Sequence, residues 1–103
     1  MDAQEKLNEL IDLLSGFIAG TYSADVLQDF VWEVIDFYSS TPKELLPPVL
    51  SDEKVFWCAV WQIQHLATED HISDGSATAS LTDALMYLRG EEEMPKEFFG
   101  ARP

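Results

Sequence analysis

Residues 23–40 read SADVLQDFVWEVIDFYSS, and the spacing of their apolar positions decides the fold class. Leu27, Phe30, Val31, Val34, Ile35 and Tyr38 recur at helical intervals, which gathers them into one stripe of an α-helix and would scatter them over both faces of a strand. Ser23 is a residue type whose side chain can satisfy the free N–H groups of a first turn, so it predicts the N-cap. Ser39 and Ser40 mark the expected end.

The flanking segments repeat the pattern. Upstream, Asp2 and Glu5 have capping-box spacing, and Leu7, Leu10, Ile11, Leu14, Phe17 and Ile18 follow the helical period until Gly20 supplies a stop. Downstream, Thr41, Pro42 and Glu44 read as the N-cap, N1 proline and N3 acid of a single helical turn that Pro47 and Pro48 break. Ser51 is then the expected cap of a third helix running to about Thr68, whose residues 55–60 (VFWCAV) are apolar nearly all round, as in a centrally placed helix. A fourth helix is expected to begin between Ser76 and Ser80, to bury Leu81, Ala84, Leu85 and Leu88, and to stop at Gly90. Residues 91–103, EEEMPKEFFGARP, form a tail. Adjacent Phe98 and Phe99 are costly to leave in water, so the tail is expected to pack back on the helices.

The prediction is an all-α fold, a compact antiparallel four-helix bundle with a short extra turn after the second helix and a docked C-terminal tail. Residues 1–103 are expected to form a single domain, because no Gly/Ser-rich or Pro-rich stretch is long enough to divide them. Hydrophobic residues make up 47% of the chain, including three Trp and six Phe, more apolar surface than a disordered acidic chain carries. Residues 1–20 interleave Asp2, Glu5, Glu9 and Asp12 with leucines, unlike a secretory signal, and no window is apolar enough for a membrane span. The expected compartment is therefore the cytoplasm. A lone cysteine, Cys58, in an apolar helical run reads as a buried structural thiol.

Charge narrows the function classes. Nineteen acidic residues face six basic ones, for a formal net charge of −13. Such a chain repels nucleic-acid phosphates and anionic lipid, and its natural complement is a basic protein surface. Acidity also serves solubility alone, and composition does not separate the two.

Four of the acids are ordered. Asp25, Asp29, Glu33 and Asp36 follow one another by four, four and three residues and share a face of the second helix, with no Lys or Arg between Ser23 and Pro42. A solvated face opposite the core has the same pattern. Trp32 projects near the acids and away from Leu27, Phe30 and Val34. A tryptophan ringed by carboxylates has the make-up of an interface anchor with steering charges, although packing under Pro47 and Pro48 accounts for it equally well. In the third helix, Phe56, Val60, Ile63 and Ala67 share one face, while Trp57, Trp61 and His65 share another that is expected to lie under the tail or to join a partner surface. Residues 68–76, TEDHISDGS, read as an exposed acidic loop in which Glu69, Asp70 and Asp74 would form a rim of partner contacts.

Catalytic patterns are absent from the sequence. There is no Gly-rich phosphate loop and no nucleophile elbow, and Cys58 and His65 are two helical turns apart, about 10 Å, too far for a hydrogen bond. His65, Glu69, Asp70, His71 and Asp74 are ligand types for zinc or manganese, but their spacing matches no metal motif. No enzymatic activity and no cofactor are expected.

Residues 56–76, FWCAVWQIQHLATEDHISDGS, followed by residues 81–103, LTDALMYLRGEEEMPKEFFGARP, resemble the C-terminal half of small bacterial toxin-immunity proteins of the colicin D and contact-dependent growth inhibition types. The resemblance covers about half of the chain. It rests on the Trp57-x-x-x-Trp61-x-x-x-His65 helix, the acidic loop and the Gly100-x-Arg102-Pro103 end. It implies a non-catalytic protein that binds and neutralises a nuclease toxin, with an RNase acting on tRNA as the expected target. Asp25, Asp29, Trp32, Glu33, Asp36, Glu69, Asp70 and Asp74 are the expected partner contacts, and they come from the residue pattern rather than from the resemblance. An acidic nucleic-acid mimic that inhibits a restriction or guide-RNA nuclease, as phages carry, is the alternative with the same electrostatics.

Overall fold

The apolar stripes of the sequence are the buried surfaces of four helices. The computed structural model describes residues 3–46, 53–68, 78–95, 100 and 103. Its regular elements are α1 (Ala3–Ile18), α2 (Ala24–Ser40), a 3-10 turn (Lys43–Leu45), α3 (Glu53–Thr68) and α4 (Thr78–Arg89), so among the described residues all regular structure is helical. The expected caps Asp2 and Ser51, and the breakers Pro47 and Pro48, lie outside the described residues.

The helices close into a ring in which α1 packs on α2 and α4, and α3 packs on the same two neighbours. The third helix is thus one member of the ring rather than its centre, and it is apolar all round because it faces α2 on one side and α4 on the other. Leu10 and Leu14 of α1, Leu27 and Val34 of α2, Val60 and Ile63 of α3, and Leu81 of α4 are fully removed from water in one cluster. A radius of gyration of 13.0 Å agrees with the roughly 13 Å of a globular domain near this length.

Both glycine stops work through the left-handed conformation. Gly20 has φ +84° and Gly90 has φ +75°. At the first, Gly20 N–H donates to Phe17 O (3.1 Å) and Thr21 N–H to Gly16 O (2.7 Å). At the second, Gly90 N–H donates to Tyr87 O (3.1 Å) and Glu91 N–H to Met86 O (2.9 Å). These paired bonds are Schellman motifs, and they satisfy carbonyls that each helix end would otherwise leave free. Between α1 and α2, Tyr22 folds its ring over Gly16 and its hydroxyl donates to Asp12 Oδ2 (3.3 Å). At the far end, Arg89 donates to Ser15 Oγ (2.8 Å), which holds the last turn of α4 against the C-terminal half of α1.

Three local expectations are corrected. Ser23 stands at the N-cap of α2 with extended backbone, but its hydroxyl makes no capping bond, and Val26 N–H donates to Ser23 O instead (3.2 Å). Thr41 closes α2 rather than opening the next turn, since its N–H is already given to Phe37 O. The turn that follows is of the 3-10 type with Pro42 at its N-cap, and Leu45 N–H donates to Pro42 O (2.9 Å).

The tail meets α3 at Gly100. A Cβ there would collide with the Lys54 carbonyl and crowd Cys58 N, both backbone atoms that cannot swing aside, so the close approach requires glycine. The tail thus touches α3 at this residue. Phe98 and Phe99 lie outside the described residues.

Replacing Leu14 by Ala is expected to lower the unfolding free energy by about 2–5 kcal/mol, the range for a buried leucine, and Gly90→Ala by about 1–2 kcal/mol through the forced left-handed φ. Urea titrations followed by circular dichroism measure both.

Candidate functional site on the outer face of α2

Leu27, Phe30, Val31, Val34 and Tyr38 turn α2 toward the core, and this orientation leaves Asp25, Asp29, Trp32, Glu33 and Asp36 exposed together. At 3.6 residues per turn these five side chains leave the helix within about 100° of arc and along about 16 Å of its axis. Trp32 is 52% exposed, which for so large an apolar side chain marks a surface in need of cover. The other large apolar side chain in this condition among the described residues is Leu45 of the 3-10 turn.

The carboxylates are not equivalent. Glu33 lies on the flank facing α1, and there Lys6 reaches it: Lys6 Nζ is 3.5 Å from Glu33 Oε1 and 3.2 Å from Glu9 Oε2. The same ammonium group sits 5.7 Å from the centroid of the Phe30 ring, within cation–π range. Burial opposes the charge on Lys6, but the hydrogen bonds and charges of Glu9 and Glu33 outweigh it and hold the group above its ordinary value of 10.5. Glu33, read from the sequence as lacking a basic neighbour, therefore has one supplied by another helix. Asp36 accepts a hydrogen bond from Ser40 Oγ (3.4 Å). No cation among the described residues pairs with Asp25, Asp29 or Asp36.

The second face of α3 grades from core to surface. Trp57 is 1% exposed and stacks edge-on against Tyr38 of α2 at 4.9 Å between centroids, with its indole Nε1 buried and without a hydrogen-bond partner among the described residues. Trp61, tilted against Trp57 at 5.9 Å, is half-buried, and His65 is exposed. The face expected to lie under the tail or to join a partner surface is buried at Trp57 by the bundle itself, while His65 stands in the last turn of the helix. Cys58 is half-buried rather than fully enclosed. Burial pushes its thiol up and the charge of Lys54 partly offsets this, which disfavours the reactive thiolate.

Glu69, Asp70 and Asp74, the expected loop contacts, lie outside the described residues, as does His71. Among the described residues no group of three or more His, Cys, Asp or Glu side chains could hold a metal ion, and no helix is long and apolar enough to cross a membrane. Sequence reasoning missed two acids that matter to this surface or to the core. Glu9 shares Lys6 with Glu33, and its three-residue spacing from Lys6 was a legible signal. Glu53 is buried in the first turn of α3, where the helix dipole favours a carboxylate.

Comparison with family models, with curated proteins and with solved structures finds no match to this chain.

Two measurements check the geometry. Trp32→Ala is expected to change stability by less than about 0.5 kcal/mol, whereas Trp57→Ala should cost about 3–5 kcal/mol. Lys6 has its pKa raised on folding, so its contribution is fully present below the ordinary value and is lost as pH rises through the folded one. The stability advantage of wild type over Lys6→Met, below about 1 kcal/mol for so exposed a partner as Glu33, should close above about pH 10.5 in urea titrations run across pH.

Proposed function

We propose that this protein is an immunity-type inhibitor, an antitoxin that binds and neutralises a basic nuclease toxin through the outer face of α2, with an RNase acting on tRNA as the expected target. The observation that carries the proposal is the half-exposed Trp32 set among exposed carboxylates, three of which have no cation beside them among the described residues. A nuclease holds its substrate in a positively charged groove, and carboxylates on a rigid helix can take the place of phosphates there. Trp32 supplies what charge alone lacks, a large apolar anchor whose burial on contact stabilises the complex after electrostatics have steered it in. The resemblance of residues 56–76 and 81–103 to toxin-immunity proteins supports the same assignment. In this role the chain acts by occupancy and needs no catalytic group of its own.

The test is to ask whether a basic nuclease domain is encoded beside the gene and to mix that domain with the full chain. A stoichiometric complex, loss of tRNA cleavage and an association rate that falls as salt rises are the expected results. Charge reversal by Asp29→Lys with Glu33→Lys should slow association at least about tenfold, and Trp32→Ala should weaken binding by about 2 kcal/mol or more. If reversal left both rate and affinity unchanged, α2 would not be the interface.

A further inference from the structure

The ion pair at the edge of the α2 face joins two helices that the sequence separates, and it places a cation inside the surface assigned to a basic partner. Lys6 Nζ stands 3.2 Å from Glu9 Oε2, 3.5 Å from Glu33 Oε1 and 5.7 Å from the Phe30 ring centroid, so an alkylammonium group is held by two carboxylates and an aromatic face. The two partners differ in access. The Lys6 side chain is 19% exposed, lying along the seam between α1 and α2, whereas Glu33 is 66% exposed and can be approached from solvent. We infer that Lys6 is a built-in competitor for the α2 surface: its ammonium group occupies, between Glu9 and Glu33, the position that a lysine of a basic partner protein would take.

This inference rests on the docking role proposed for α2 and deepens it. Binding then exchanges an intramolecular cation for an intermolecular one at Glu33, while Asp25, Asp29 and Asp36 receive the partner without displacement. The seam also extends the surface onto α1, because Glu9 shares the same ammonium group as Glu33. A partner that meets Glu33 must therefore match a site shaped for alkylammonium beside an aromatic ring, a narrower demand than general acidity makes.

The experiment uses a fluorescently labelled oligolysine peptide as the probe and the full chain, read by anisotropy at an ionic strength of about 0.01 M, where screening is weak. Lys6→Gln should bind the probe roughly fivefold more tightly than wild type, the size expected for freeing one charge at contact range in water. Lys6→Arg keeps the cation and should stay at the wild-type affinity. Lys54→Gln on α3 changes net charge equally without touching the seam, and its gain should be clearly smaller. In a background carrying both Glu9→Gln and Glu33→Gln, the gain from Lys6→Gln should fall to that of Lys54→Gln. A Lys6→Gln gain no greater than that of Lys54→Gln, or one that stays above it without Glu9 and Glu33, overturns the inference and leaves the docking role standing. If Asp25→Asn, Asp29→Asn and Asp36→Asn together leave probe affinity unchanged, the docking role itself falls and takes this inference with it. Unchanged far-ultraviolet circular dichroism shows that each variant has folded.

Discussion

The burial of Leu27, Val31 and Val34 against the leucines of α1 and the apolar face of α3, in one cluster with Leu81 of α4, is the constraint from which the rest of the molecule follows. Each of these side chains gains on the order of 1.5–3 kcal/mol by leaving water, and that gain is available in one rotation of α2 only. Once that rotation is set, every residue on the opposite side is committed to solvent whatever its chemistry. Trp32 is the cost of this arrangement in apolar terms, and Asp25, Asp29 and Asp36 are its electrostatic cost. Like charges at helical spacing each destabilise by a few tenths of a kcal/mol, which a well-filled core absorbs.

A net charge of −13 on a chain of this length creates a field that weakens the compact state and draws cations toward it. Two of the basic residues stand where a cation meets carboxylates or where a helix end favours a positive charge. Lys6 lies between two carboxylates of different helices, and Arg89 ends α4, where it bonds Ser15 and approaches Glu91 at 4.0 Å. Both fasten α1 to a neighbour. These two cations thus serve assembly of the bundle, and among the described residues no cation pairs with the outward acids of α2 other than Glu33. A rigid, helix-borne array of this sort is preorganised for binding, since little is lost in ordering it when a partner arrives.

The helices, their stops and the orientation of α2 were legible in the sequence because each depends on residues within a few positions of one another. The apolar period of residues 23–40 places Trp32 and the four acids outward by geometry alone, and Gly20 and Gly90 terminate their helices through a backbone conformation that glycine adopts at low cost. Hydrogen-bond partners at helix ends were less legible. Ser23 and Thr41 are good capping types, yet the chain satisfied those ends with backbone groups, and side-chain propensity does not reveal that choice.

What only the tertiary structure decided are the relations between distant positions. The spacing of α2 could not show that Glu33 is neutralised, because its cation stands twenty-seven residues away on α1 and reaches it only after the two helices pack. Nor could the Trp57, Trp61 and His65 repeat show where burial ends, since that depends on how far neighbouring helices extend along α3. Gly100 owes its identity to the backbone of α3 at Lys54 and Cys58, a contact that no local pattern encodes. Periodicity determines which way a side chain points. Packing determines what it finds there, and in this protein that difference separates a uniform acidic stripe from a surface with one carboxylate already engaged.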